Sequence, residues 1–216
     1  MSEKEKSANL QRELVSCFHH PLHGVSAHLA MAPLHRRSEI QDPLRQARAV
    51  KSSVLILLYE KAGEPHIVFI RRPEYNGVHS GQIAFPGGRW EATDKSLYHT
   101  ALRETREEIG IDVQNIQFAG KLTDLYIPPS NYIVSPFAGF LSGEFSFKPD
   151  PKEVAEILEI PLSFFLQENA IQPVSLAVRG EVFKEIPAYV YGENIIWGAT
   201  AMMLNEFVVQ WKTTVK

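Results

Sequence analysis

Two short aliphatic runs, Val54–Tyr59 (VLILLY) and His66–Arg71 (HIVFIR), flank the polar stretch Lys61-Ala-Gly-Glu-Pro65. Runs of this length bounded by Gly and Pro predict a buried strand, a turn and a returning strand. Gln82–Phe85 reads as a strand end that leads into a Pro86-Gly87-Gly88 loop. From about Lys95 to Ile109 the period changes. Leu97, Ala101, Thr105 and Ile109 recur every fourth residue, which predicts a helix with one packing stripe. Asp94 is its expected N-cap, and Gly110 sits where a helix ends in the left-handed conformation. Ile116–Leu125, Val134–Leu141 and Glu156–Ile160 again read as strands. Pro161-Leu-Ser-Phe-Phe-Leu-Gln opens a further helix, because proline is tolerated in a first turn. Val174–Val178, Glu181–Glu185 and Ala188–Tyr191 predict a closing meander with Gly180 at one turn, and Trp197–Trp211 is apolar at helical spacing. Near the start, residues 1–9 are polar, and Leu10, Leu14, Val15 and Phe18 mark a short amphipathic helix. Mixed strands with few helices indicate an α/β layered domain.

Composition narrows the function classes. The chain has 216 residues, 44% hydrophobic and 22% charged, which suits one globular domain with terminal decoration. We expect residues 1–50 to form an N-terminal extension with a short helix and residues 51–216 to form the main domain. A formal net charge of −3 supplies no electrostatic footprint for nucleic acid. A single cysteine, Cys17, excludes an intrachain disulfide framework and fits a reducing compartment. The charged start lacks the apolar stretch of a signal peptide, and no run of about 18 apolar residues offers a membrane span. The expected setting is therefore cytoplasmic. Five histidines (His19, His20, His23, His28 and His35) precede residue 50. Their irregular spacing, without Cys or acidic partners, reads as solvated or capping side chains rather than a metal site.

Chemistry concentrates in Gly87–Ile111. Glu104, Glu107 and Glu108 stand at i, i+3 and i+4, on one face of the expected helix. Three like charges there destabilise a bare helix and ask for a counter-ion. A hard divalent cation takes carboxylates, waters and substrate phosphate oxygens, and the Gly-Gly turn upstream lets backbone approach a ligand closely. Arg103, four residues before Glu107, can hold that carboxylate in place.

The same segment resembles the Nudix box. That box runs Gly, five residues, Glu, seven residues, then Arg-Glu-x-x-Glu-Glu-x-Gly. Gly88, Arg103, Glu104, Glu107, Glu108 and Gly110 match it. Asp94 replaces the middle Glu, one additional residue separates it from Arg103, and Thr105 takes the aliphatic position. An additional residue at this point resembles the subgroup that cleaves coenzyme A. Arg72, Gly81 and Phe85-Pro86-Gly87-Gly88 also match that subgroup's upstream motif in register. Val68-Phe69-Ile70, Pro73 and Gly77 depart from it, Gly77 standing where the motif has its second arginine. Pro129–Pro136 and Ile196–Ala201 are similar to further subgroup segments, and Tyr132 and Trp197 are candidates to stack on adenine. The resemblance covers roughly residues 54–205.

What the resemblance implies is a Nudix-type α/β/α sandwich with a mixed sheet. Its cofactor is Mg²⁺ or Mn²⁺, held by Glu104 and Glu108, with Glu107 bound directly or through water. Catalytic candidates are Glu107, Glu108 and Arg103, the first two as possible general bases. Substrate-binding candidates are Arg72, Gln82, Phe85, Gly87 and Gly88. The implied reaction cleaves coenzyme A or an acyl derivative to 4′-phosphopantetheine and 3′-phosphorylated AMP. Other readings stay open: hydrolysis of another nucleoside diphosphate derivative such as ADP-ribose or a modified nucleotide, or a non-catalytic ligand sensor. Expected partners are the small-molecule substrate alone, with no nucleic acid or membrane, in a monomer or homodimer.

Overall fold

A computed structural model of the chain describes residues 3–74, 81–178 and 181–215, so Gly77 and the Gly180 turn lie outside the described residues. The chain begins with helices α1 (Glu3–Cys17) and α2 (Gly24–Ala30), a 3₁₀ turn (Leu34–Arg36), and the short helices α3 (Arg37–Ile40) and α4 (Pro43–Gln46). Strands β1 (Val50–Lys61), β2 (Glu64–Arg71), β3 (Ile83–Ala84) and β4 (Gly87–Arg89) precede helix α5 (Leu97–Ile109). Next come β5 (Ile116–Lys121), β6 (Leu125–Ile127), β7 (Tyr132–Leu141), β8 (Glu156–Pro161) and the short α6 (Leu162–Phe165). The chain closes with β9 (Ile171–Val178), β10 (Glu181–Tyr191), β11 (Asn194–Ile196) and α7 (Gly198–Thr214).

Eight strands form one sheet in the order β3-β2-β1-β7-β5, with β4 also paired to β1, β6 to β7 and β8 to β2. β1 and β7 run parallel while the other pairings are antiparallel, which makes the sheet mixed. A separate antiparallel sheet joins β9, β10 and β11. The central strands are apolar on both faces because both are covered. Ile56 and Leu58 of β1 and Ile67 and Phe69 of β2 meet α7, Leu10 and Leu14 of α1, and Met31. Leu55, Leu57, Val68 and Ile70 face the opposite way, onto Ala101 and Ile109 of α5. This is an α/β/α sandwich. Between β1 and β2 the two-residue turn Ala62-Gly63 has positive φ at both positions, matching the twist of the hairpin it closes.

Three expectations about the elements are corrected. The run Ile116–Leu125 is not one strand, since β5 ends at Lys121 and β6 starts at Leu125. Asp94 does not cap α5; Ser96 does, its hydroxyl accepting from the His99 amide, and this frees Asp94 to pair elsewhere. The meander read as two strands around residues 185–188 is the single strand β10. A bulge between Phe183 and Ile186 absorbs the interruption, with Glu185 in the left-handed region.

α7 is buried nearly all round, since it fills the space between the sheet and the N-terminal helices. His28 on α2 is buried rather than solvated. Its Nε2 lies 2.8 Å from Glu206 on α7, and Glu206 also accepts from the Gly24 and Thr123 amides and the Thr123 hydroxyl. Burial raises the Glu206 carboxyl, but the hydrogen bonds from His28 and Thr123 outweigh it and hold the group below its usual range. Beside this pair, Asn205 Nδ2 donates to the Ala27 carbonyl at 2.8 Å. Among the described residues, no helix is long and apolar enough to cross a membrane.

Candidate active site

Two glycines bring backbone and carboxylates together. β1 pairs Ser53 with Gly88 and Val54 with Gly87, which draws β4 tight against the central strand. Gly87 has φ +154°, and a Cβ there would overlap the Ser53 carbonyl, so only glycine fits. A Cβ on Gly88 would overlap the Glu104 carboxyl group. The β4 backbone and the α5 carboxylates therefore occupy adjoining space with no side chain between them.

Glu108 is 1% exposed and accepts a hydrogen bond from the Gly87 amide at 2.8 Å. Its second oxygen lies 3.6 Å from the Arg72 guanidinium, at the end of β2. Burial pushes the Glu108 carboxyl up to about 8, with Arg72 and Gly87 opposing and Glu104 and Glu153 adding to the rise. Burial likewise raises Glu104, less the relief from Arg103.

Arg103 holds the helix in place. It makes paired bonds to Asp94 at 3.0 Å, contacts Glu104 at 2.8 Å and Glu107 at 3.0 Å, and donates to the Arg89 carbonyl at 3.0 Å. The Arg103 guanidinium holds Asp94 well below the usual carboxylate range, at about 2. The planar fork thus ties the loop before α5, the helix and β4 into one unit.

Arg72, Gln82, Ala84, Phe85, Gly87 and Gly88 line one cavity with Glu104 and Glu108; its volume is about 670 Å³. Phe85 is buried and stacks on Phe69 with ring centroids 4.9 Å apart, securing the strand that enters the glycines. Glu107 lies outside the cavity wall, half-exposed and held by Arg103. Trp197 and Tyr132, the two aromatic candidates, both line the cavity.

Sequence reasoning missed Glu153. It stands on the loop before β8, which the Lys148 and Asp150 amides pin to the last carbonyls of α5. This brings an exposed carboxylate onto the cavity wall with Glu104 and Glu108. No spacing rule links a loop acid to a helix more than forty residues earlier, so no local signal marked it.

Among the described residues, no three His, Cys, Asp or Glu side chains stand preassembled to hold an ion. Arg103 draws Glu104 and Glu107 toward itself. Even so, the donor chemistry fits a hard divalent cation. Glu104, Glu108 and Glu153 are oxygen donors that repel one another, and Glu108 is charged only against its burial.

Residues 50–176 match the NUDIX domain. An uncharacterized Nudix hydrolase, NudL, from Photorhabdus laumondii is 36% identical over 147 residues, covering 68% of this chain and 78% of that protein. The human mitochondrial coenzyme A diphosphatase NUDT8 is 34% identical over 169 residues, 76% of this chain and 70% of its own. Among solved structures, a MutT/nudix family protein from Enterococcus faecalis superposes with a TM-score of 0.49 at 15% identity, covering 84% of this chain and 70% of that one. A domain match over more than half the chain, joined to relatives above 30% identity, makes this protein a member of the Nudix hydrolase family.

Proposed function

We propose that this Nudix hydrolase cleaves the diphosphate of coenzyme A or acyl-coenzyme A, releasing 4′-phosphopantetheine and adenosine 3′,5′-bisphosphate. The observation that carries the reading is the cavity itself. Buried carboxylates and Arg72 meet the Gly87-Gly88 backbone at one side, while Ile83, Ile127, Val134, Ile186 and Met203 extend an apolar wall beyond them. A long substrate whose central diphosphate carries an adenine ring at one end and a pantetheine chain at the other suits that division, and cavities of about 300–1,000 Å³ serve small-molecule ligands. Similarity to the human coenzyme A diphosphatase supports the same substrate class.

Glu104 and Glu108 would hold Mg²⁺ or Mn²⁺, with Glu107 joining through water. The bound ion supplies charge neutralisation and an acidified water. Arg72 neutralises substrate phosphate charge from the β2 side. Glu153, exposed on the cavity wall with Glu104 and Glu108, takes the proton of the attacking water; Glu107 and Glu108 are the other candidates for that role. Water oxygen bonds to one phosphorus, the bridging P–O bond breaks, and the released phosphate carries away the bridging oxygen. Arg103 acts through Glu104, Glu107 and Asp94 as a positioning residue.

Mass spectrometry of products with Mg²⁺ or Mn²⁺ tests this, running coenzyme A beside ADP-ribose, dinucleoside polyphosphates and nucleoside triphosphates. Phosphopantetheine released at the highest kcat/KM is the expected result. Turnover of another diphosphate alone would overturn the substrate and keep the family.

A further inference from the structure

We propose that Arg36, on the N-terminal segment, binds the 3′-phosphate of the nucleotide and so makes the enzyme prefer substrates phosphorylated at that position. The inference rests on the coenzyme A reading above.

Pro33, Arg36 and Ile40 line the same cavity as Glu104 and Glu108. Their spacing of three and four puts them on one face of the 3₁₀ turn and α3, while Leu34 between them is 78% exposed. Ile40 is buried in the core that contains α7, on the side of the sheet opposite α5. The cation therefore reaches the cavity from the layer facing away from the carboxylate helix. α3 packs against β6, and Ile127 of β6 together with Pro129, Ser130 and Tyr132 lines that part of the cavity. An aromatic ring and a guanidinium on neighbouring walls suit a purine nucleoside bearing its own phosphate.

The segment is held there firmly. The His28–Glu206 pair and the Asn205–Ala27 bond, both buried, fasten α2 to α7 just upstream. Arg36 itself is only loosely engaged. Its guanidinium lies 3.7 Å from Glu39, beyond hydrogen-bond length, and Arg45 sits 3.7 Å from the same Glu39 oxygen. Arg36 can turn to a phosphate and leave Glu39 with Arg45.

The test compares coenzyme A with 3′-dephospho-coenzyme A under Mg²⁺, using wild type, Arg36→Gln and Arg36→Lys. Calorimetry in EDTA with adenosine 3′,5′-bisphosphate and AMP reads binding without turnover. Wild type should favour the 3′-phosphorylated member of each pair by about tenfold, the scale of one charge-assisted contact. Arg36→Gln should bring both ratios toward one, and Arg36→Lys should recover part, since lysine keeps the charge without the planar fork. Ratios unchanged in Arg36→Gln, with coenzyme A cleaved by wild type, would overturn the role of Arg36 alone. A wild type that cleaves neither coenzyme A nor its dephospho form, while cleaving ADP-ribose, would overturn the substrate reading and this inference together. Arg36→Lys keeps the test valid should the glutamine variant melt early.

Discussion

The amide of Gly87 donates to the buried carboxyl group of Glu108 across 2.8 Å, so the strand backbone and the acidic helix share one hydrogen bond at the cavity wall. Next to it, Gly88 leaves room for nothing but the Glu104 carboxyl. Gly88 has no left-handed φ, and the obstacle is the end of a flexible side chain. Gly88→Ala should therefore fold, with stability within about 1 kcal/mol of wild type, while turning Glu104 aside. Titration calorimetry with Mn²⁺ should show affinity lowered by at least about tenfold. Wild-type affinity in this variant would remove Glu104 from the metal site. Gly87→Ala, which meets the Ser53 backbone, should instead lose several kcal/mol in denaturant melts.

Protonation of Glu108 links stability to pH. An ordinary glutamate titrates near 4.5, and burial lifts this one to about 8. Between those values the folded chain keeps a proton that the unfolded chain has lost. This contribution is full below about pH 4.5 and disappears as pH rises toward 8. In EDTA, Glu108→Gln should gain stability relative to wild type progressively from pH 5 to 8. Denaturant curves across that range check it; parallel curves would contradict the raised carboxyl. Turnover in the same variant should fall by orders of magnitude even at saturating Mg²⁺.

Arg103→Ala should be more damaging than a surface substitution. Asp94 is 5% exposed at its side chain and takes two bonds from Arg103. Removing the cation takes away two charge-assisted hydrogen bonds and leaves Asp94 only the Glu91 amide and the Thr100 hydroxyl, at a cost of about 2 kcal/mol. Asp94 then returns toward ordinary titration. Because wild-type Asp94 stabilises the fold above about pH 4 and loses this as pH falls toward 2, the variant should show a shallower acid limb. Urea melts at pH 3 and pH 7 would reveal it.

Glu153→Gln should lower kcat by about 10²–10⁴ with little change in KM, the span expected when a proton acceptor is lost. Single-turnover kinetics at fixed Mg²⁺ measure this. Near-normal kcat would move the base role to Glu107 or Glu108.

Glu206→Ala should cost about 4 kcal/mol, since it strands buried His28 and the Gly24 and Thr123 amides together. Glu206→Gln should cost less, as it retains one acceptor. If the N-terminal segment is fastened through this residue, trypsin should cut the Arg36–Arg48 region of the alanine variant faster than in wild type.

Local periodicity determined much of this molecule. The runs at 54–59 and 66–71 had to be covered strands, and the four-residue stripe from Leu97 to Ile109 had to face a core, because each signal lies within one element. The box carboxylates were legible for the same reason, their spacing being a property of one helix. Only the tertiary structure decided the rest. It moved Asp94 from helix cap to Arg103 partner, and buried His28 against a residue 178 positions away. It also brought Glu153 to the cavity that Glu108 lines, carried β10 through its bulge, and placed Arg36 on the cavity wall. Each of these depends on which charges and amides meet after the layers pack. Desolvation and long-range pairing select those partners, and neither leaves a period in the chain.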